Sequence, residues 1–146
     1  MVKKKLFDKC VGLLEESGLG ENAVCEVTWV FEDVAEGDDI TPEQEKRISD
    51  IVTRRCDGYP LQYLLGQWEF YGLPFKVGEG VLIPRQDTET IVDTALKMFA
   101  GKKDITVIDL CSGSGCIGIT LERKLDCGRA VCVEKSEKAA EYLREN

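Results

Sequence analysis

The segment that most constrains the fold is a glycine-rich loop between a predicted strand and a predicted helix. Residues 105–108 form a short apolar run typical of a buried parallel strand, and Asp109-Leu110-Cys111-Ser112-Gly113-Ser114-Gly115 follows directly. Glycines let the backbone turn sharply and let a ligand approach the main chain. The helix after the loop offers unpaired N–H groups and the positive end of its dipole. The segment therefore predicts a nucleotide-cofactor site.

A second strand and an acidic residue follow the loop in the order that such a site requires. Residues 130–133 form another buried apolar run, Glu134 comes directly after it, and Ser136 is placed to cap a last helix. Glu134 lies near the offset of about twenty residues at which an acidic side chain meets ribose hydroxyls. The strand-loop-helix-strand-helix order predicts the opening part of a doubly wound, Rossmann-like α/β sheet.

The choice of cofactor depends on the position of Asp109. Gly113, Gly115 and Gly118 spell G-x-G-x-x-G, which alone suits a nicotinamide dinucleotide equally well. An acid before the glycines is badly placed near a pyrophosphate, but it suits the positively charged methionine portion of S-adenosylmethionine. The acid after the second strand suits any adenosine cofactor. The residues favour S-adenosylmethionine, with a dinucleotide or a glycine turn without ligand as the alternatives.

The first part of the chain predicts a small helical bundle. Apolar residues at helical spacing indicate three amphipathic helices, which end near Gly18, Gly37 and Gly58. The third has the clearest start, because Thr41 and Gln44 have the spacing of a capping box. Nothing in this part suggests a catalytic cluster, so a folding or docking module is the preferred interpretation.

The middle of the chain predicts a short helical turn and then a β-hairpin. The turn covers residues 59–66, and aromatic and β-branched residues flank Gly72. Asp87 or Thr88 is expected to cap the next helix. The predicted domains are a helical bundle at 1–58, a linker with a hairpin at 59–80, and the incomplete N-terminal part of a cofactor-binding domain at 81–146.

Composition excludes several functional classes. The formal net charge of −8 gives no support to a nucleic-acid partner, because phosphate backbones favour basic patches. The absence of histidine removes Ser-His and Cys-His nucleophiles. The seven cysteines include no C-x-x-C pair, so neither a disulfide framework nor a metal site is expected. No apolar run is long enough to cross a membrane, and a cytoplasmic location is expected.

Several motifs together resemble one known family. Ile83-Pro84-Arg85-Gln86-Asp87-Thr88-Glu89, the loop 109–115 and Glu134 resemble the protein-(glutamine-N5) methyltransferases that act on peptide chain release factors, the PrmC/HemK family. Residues 60–66 and 69–73 also fit this pattern. The proline-arginine stretch is much more specific than the glycine loop.

The resemblance implies a reaction and a set of residues. The reaction would be methyl transfer from S-adenosylmethionine to the side-chain amide of the glutamine in a Gly-Gly-Gln motif. The helical domain would dock the release factor, which is the expected partner. Arg85, Asp87, Thr88 and Glu89 would line the entrance of the cofactor cavity. The implied cofactor-binding residues are Asp109, Cys111, Gly113, Gly115, Glu134, Arg85, Thr88 and Glu89.

Three departures from the family pattern stand out. Cys111 occupies the position of the usual first glycine, which would strain the backbone if that position needs a positive φ. Gln86 replaces a common proline. The asparagine-proline-proline-tyrosine motif that grips the target glutamine is absent from the sequence, so no catalytic residue is assigned.

The missing motif leads to an expectation about the whole chain. We expect a fragment or a natural truncation that does not methylate its target alone. The alternatives are a non-catalytic release-factor docking module and, less favoured, a fragment of a dinucleotide oxidoreductase. The open edge of a two-stranded parallel sheet also raises the question of self-association.

Overall fold

The computed structural model describes residues 3–35, 37, 39–125 and 127–146. Within these residues no helix is both long enough and apolar enough to cross a membrane. The helices are α1 (Lys3–Glu16), α2 (Ala23–Val34), α3 (Pro42–Cys56), α4 (Leu61–Leu65), α5 (Glu89–Met98), α6 (Cys116–Lys124) and α7 (Glu137–Glu145), with 3₁₀ turns at Gly20–Asn22 and Gln86–Thr88. The strands are β1 (Gln67–Phe70), β2 (Leu73–Lys76), β3 (Ile105–Leu110) and β4 (Cys127–Val133).

The chain divides into two compact units, Met1–Leu65 and Gly66–Asn146. The expected linker, residues 59–80, is therefore shared between them. Its helical turn, α4, belongs to the first unit, and its hairpin belongs to the second. The hairpin joins the second unit because Phe70 and Phe75 are buried in a core cluster there.

The first unit is a bundle of helices around one apolar core. The predicted capping box of α3 is confirmed: Thr41 Oγ1 accepts from Gln44 N at 3.2 Å, and Gln44 Oε1 accepts from Thr41 N at 2.9 Å. Helices α1, α2 and α3 pack against each other in pairs. The buried residues of this core are Leu6, Cys10, Leu14, Ala23, Val27, Val30, Phe31, Val34, Ile40, Ile48, Ile51, Val52 and Leu61.

The second unit begins with the predicted hairpin. β1 and β2 pair antiparallel, with Phe70 opposite Leu73. The two turn residues, Tyr71 and Gly72, have φ values of 53° and 73°, and positive φ at both central residues is the mark of a type I′ turn. This turn matches the twist of the strands, so the chain reverses direction with only two residues between them.

The parallel strands β3 and β4 are joined by helix α6 in the predicted order. Their register places Asp109 opposite Cys132 and Leu110 opposite Val133. α6 packs on both strands, and α5 packs on α6. The carboxyl ends of β3 and β4 therefore lie side by side, next to the N-terminus of α6.

The expectation that both strands are buried was wrong for one face. Exposure alternates along β3, and Ile108, Leu110 and Val133 are 63%, 69% and 47% exposed. The opposite face is covered by α6. The apolar run has the composition of a doubly covered strand, but in the described residues helices cover only one side.

Candidate functional site

The loop from Cys111 to Gly115 turns by means of three left-handed residues. Cys111, Gly113 and Gly115 have φ values of 59°, 55° and 81°. Gly115 N donates to Ser112 O at 2.8 Å, and Gly115 occupies the N-cap position of α6. The position of Cys111 therefore requires the positive φ that would favour glycine, and cysteine is strained there.

Glu134 closes the loop from the neighbouring strand. Its Oε2 accepts from Gly113 N at 2.8 Å, and its Oε1 accepts from Ser136 N at 2.8 Å. The N–H groups of Ser136 and Gly113, with a smaller effect of the Lys135 N–H, hold the pKa of Glu134 below its usual value, because they stabilise the ionised carboxylate. The structure thus brings the predicted acid to the predicted glycine.

The side chain of Asp109 is half-buried against the first residues of α6. Its Oδ2 accepts from Gly118 N at 2.9 Å. Burial raises the pKa of Asp109, and the hydrogen bond from Gly118 opposes that rise. The side chain is therefore an acidic group that already has one partner in the first turns of the helix.

The glycines of the motif serve different purposes. A Cβ on Gly118 would lie 2.6 Å from Cys132 Sγ and 3.0 Å from Asp109 Cβ, so this glycine lets α6 pack closely on the strands. A Cβ on Gly113 would meet only Val81 Cγ2, at 3.9 Å, among atoms within 4 Å in the described residues. Space for a ligand is found at Gly113 and not at Gly118.

Two thiols near the loop are poor nucleophiles. Burial raises the pKa of Cys116, although a hydrogen bond with Ser114 opposes the rise. Burial also raises the pKa of Cys132, and the carboxylate of Asp109 adds to the effect. Since the thiolate is the reactive form, neither side chain suits covalent catalysis. In the described residues, no group of three or more potential metal ligands is found.

Among the residues that the structure describes, the segment from Arg85 to Glu89 makes no hydrogen bond to the loop. Thr88 takes the N-cap position of α5, but its side chain makes no capping bond, so the expectation of a side-chain cap at Thr88 was wrong. Asp87 contributes its carbonyl, which accepts from Thr90 Oγ1. Glu89 Oε1 accepts from Tyr71 N at 2.7 Å. Glu89 is therefore tied to the hairpin.

Asn146 makes contacts that the sequence did not predict. Its Oδ1 accepts from Lys76 N at 2.6 Å, and its Nδ2 donates to Lys76 O at 3.2 Å and to Ser114 O at 3.0 Å. One amide side chain thus joins β2 to the glycine loop. Nothing in its sequence position signals this contact, because it depends on how α7 packs.

Comparison with known proteins places the chain in a family. Residues 6–66 match the family model described as PrmC N-terminal domain. The chain belongs to the PrmC family. Three of its relatives are proteins named release factor glutamine methyltransferase, and they agree with this assignment.

These PrmC relatives extend well beyond the segment they share with the chain. The one from Fusobacterium nucleatum is 35% identical over 97% of the chain and 43% of the relative. The one from Geobacter sulfurreducens is 38% identical over 98% of the chain and 53% of the relative. The one from Thermodesulfovibrio yellowstonii is 39% identical over 76% of the chain and 40% of the relative. The chain thus spans about half, or less, of each relative's length.

Proposed function

We propose that the chain is the N-terminal part of an S-adenosylmethionine-dependent methyltransferase that modifies a peptide chain release factor. The second unit would be the first β-α-β-α part of a Rossmann-like, class I methyltransferase domain. The accepting group would be the side-chain amide of the glutamine in the Gly-Gly-Gln motif. The names of the relatives support both the reaction and the target.

The observation that carries this proposal is the meeting of Glu134 with the glycine loop. Glu134 follows β4 and contacts Gly113 in the loop that follows β3. In open α/β sheets, ligands bind at the carboxyl ends of the strands. An acid beside glycines at that edge suits the ribose of an adenosine cofactor.

The residues of the loop fit such a cofactor. Gly113 leaves open space where a side chain would stand. Ser112 Oγ is buried and has no hydrogen-bond partner within the described residues, and a buried hydroxyl without a partner is costly. Both features support a polar ligand against the main chain at this point.

The proposed roles follow from the positions of the groups. Glu134 would hold the ribose, and Gly113 would give the ligand access to the main chain. Gly115 would shape the turn through its positive φ, because Leu143 and Ile119 fill the space where its Cβ would stand. The half-buried Asp109 would place negative charge near the methionine part. Arg85, Thr88 and Glu89 keep their assignment to the cavity entrance from the family resemblance, although Glu89 also holds the hairpin.

The chemistry asks the protein mainly for positioning. S-adenosylmethionine supplies a methyl group on a positively charged sulfur. An amide nitrogen is a poor nucleophile, so correct placement of the two reactants must supply much of the rate enhancement. No histidine is required for that task, in agreement with the composition of the chain.

The helical unit is proposed to dock the release factor. It has its own core, and it contains almost the whole PrmC N-terminal domain match. Catalysis is proposed to need more than this chain contains, because the asparagine-proline-proline-tyrosine motif of the family is absent from its sequence. We therefore expect no methyl transfer by the 146-residue chain alone.

Calorimetric titration tests the cofactor assignment. S-adenosylmethionine and NAD would each be titrated into the chain and into a chimera. The chimera continues after Asn146 with the remaining segment of the Geobacter sulfurreducens relative. We expect the chimera to bind S-adenosylmethionine and to ignore NAD. Binding of NAD without S-adenosylmethionine would overturn the family reaction for this chain.

A transfer assay tests the substrate. Labelled methyl groups should pass from S-adenosylmethionine to a release factor in the presence of the chimera. A release factor with its Gly-Gly-Gln glutamine changed to alanine is the control and should stay unlabelled. If the chain binds the release factor but neither the chain nor the chimera binds S-adenosylmethionine, a non-catalytic docking module becomes the better description.

A further inference from the structure

Both carboxylate oxygens of Glu134 accept a hydrogen bond before any ligand is present. One oxygen accepts from Gly113 N and the other from Ser136 N, both at 2.8 Å. The first bond reaches across to a different loop, and the second stays within the turn that leads into α7. Glu134 thus fastens the glycine loop to the end of β4.

The loop needs such a fastening because its backbone is unusual. Three of its five residues, Cys111, Gly113 and Gly115, have a positive φ. Glycine has a large conformational freedom in the absence of restraints. The left-handed conformation of Cys111 is unfavourable for a residue with a Cβ. Ser112 N donates to Val133 O at 3.1 Å, which anchors the start of the loop but not its centre.

We propose that Glu134 is a positioning residue that holds the glycine loop in its binding shape before the cofactor arrives. The purpose of this role rests on the proposed cofactor function. The centre of the loop, at Gly113, is fixed by the same side chain that is assigned to the ribose. A single residue therefore prepares the site and also receives part of the ligand.

The two roles are compatible because a carboxylate has spare acceptor capacity. An ionised carboxylate offers about four lone-pair positions, and the two N–H groups occupy one on each oxygen. Ribose hydroxyls would use the remaining positions without displacing Gly113 or Ser136. A loop that is already ordered also loses less conformational freedom on binding, which favours affinity.

Amide hydrogen exchange at Gly113 tests the proposal in the ligand-free chain. The rates would be measured by NMR in the wild type, in Glu134→Gln and in Glu134→Ala. Glutamine keeps the size of the side chain, but it has one carbonyl oxygen in place of two carboxylate oxygens. Glu141→Gln in α7 is the matched control, since in the described residues its side chain makes no hydrogen bond to the loop.

We expect the Gly113 amide to be protected in the wild type and in Glu141→Gln. Glu134→Gln should speed its exchange about tenfold, and Glu134→Ala should speed it further. Amides inside β3 and α6 should keep their rates, because a general loss of stability would raise them together. An unprotected Gly113 amide in the wild type, or equal rates in the wild type and Glu134→Gln, would overturn the proposal.

Titration of S-adenosylhomocysteine into the chimera, with and without the same Glu134 substitutions, separates this inference from the proposed function. Protection at Gly113 that depends on Glu134, without any uptake of the ligand, would leave the positioning role standing and remove the cofactor. If the wild type takes up the ligand while its Gly113 amide is unprotected, the cofactor assignment stands and the positioning role is overturned. Neither result relies on Glu134→Ala, so a folding defect in that variant does not affect the test.

Discussion

Cys111 is held in a backbone conformation that costs cysteine more than glycine. Its φ is 59° and its side chain is exposed, so removing the side chain loses little packing. The left-handed conformation costs a residue with a Cβ roughly 1–2 kcal/mol, and glycine at this position would remove that cost. The greater conformational freedom of glycine in the unfolded chain offsets part of this gain in stability. We expect Cys111→Gly to raise the free energy of unfolding by about 0.5–1 kcal/mol, measured by urea denaturation.

The same substitution at Cys25 provides the control. Cys25 is exposed and lies inside α2, where glycine is a poorer helix former than cysteine by roughly 0.3 kcal/mol. Cys25→Gly should therefore lower stability while Cys111→Gly raises it. A fall in stability for both variants would show that Cys111 contributes contacts that outweigh its strain.

The residue scale is also where sequence reasoning succeeds and fails most clearly. Thr41 and Ser136 were identified as helix caps because a cap depends on residues three positions away. The partners of Glu89 and Asn146 are 18 and 70 residues distant. Such contacts depend on how elements pack, and no local pattern encodes them.

At the scale of elements, Gly118 controls how closely α6 approaches the strands. An added methyl group would lie 2.6 Å from Cys132 Sγ, and forcing an extra carbon into a packed interface costs about 1–3 kcal/mol. We expect Gly118→Ala to lower the thermal midpoint of the second unit, followed by circular dichroism.

Gly12→Ala is the matched control for that variant. Gly12 lies in the middle of α1, and a Cβ there would meet nothing within 4 Å in the described residues. Alanine in an open helical position should stabilise the protein by about 0.5–1 kcal/mol. The prediction fails if both alanines raise stability, because that would mean α6 moves away from the strands without cost.

The hairpin is joined to α5 by Glu89. The hydrogen bond from Tyr71 N satisfies a turn residue whose φ is 53°. We expect Glu89→Ala to cost about 1–2 kcal/mol, since a charge-assisted bond is lost. Glu137→Ala is the control: Glu137 is likewise acidic in a first helical turn and should lose only the interaction with the dipole, about 0.3–1 kcal/mol. If urea denaturation gave the same loss of unfolding free energy for Glu89→Ala and Glu137→Ala, the contact with Tyr71 would have no stabilising role.

At the scale of the whole molecule, the face of β3 and β4 opposite α6 leaves an apolar patch exposed. Ile108, Leu110 and Val133 present adjacent apolar side chains, and such patches favour association. The alternation of exposure could not be deduced from the sequence, because an apolar run gives the composition of a strand and not the layers above it. The order of the elements, by contrast, follows from patterns within single elements, and the strand-helix-strand succession then gives the parallel direction of β3 and β4.

We expect the chain to associate through this face as its concentration rises. Ile108→Lys places a charge on the face and should shift the protein toward the monomer in sedimentation velocity. Met98→Lys is the control, because Met98 is 64% exposed in α5 and adds the same charge elsewhere. Wild-type protein that stays monomeric at all concentrations would contradict the prediction.

The two-residue turn of the hairpin also determines which changes of length the chain tolerates. Side chains alternate between the two faces of a strand, so shifting the pairing by one position turns every side chain over. If one residue inserted between Phe70 and Leu73 shifted this pairing, either Phe70 or Phe75 would leave the core, where each is 1% exposed. The insertion must therefore be taken up by a three-residue turn that keeps the register. Length changes in this segment are therefore restricted to those that a hairpin turn can absorb, even though surface connections usually accept such changes freely.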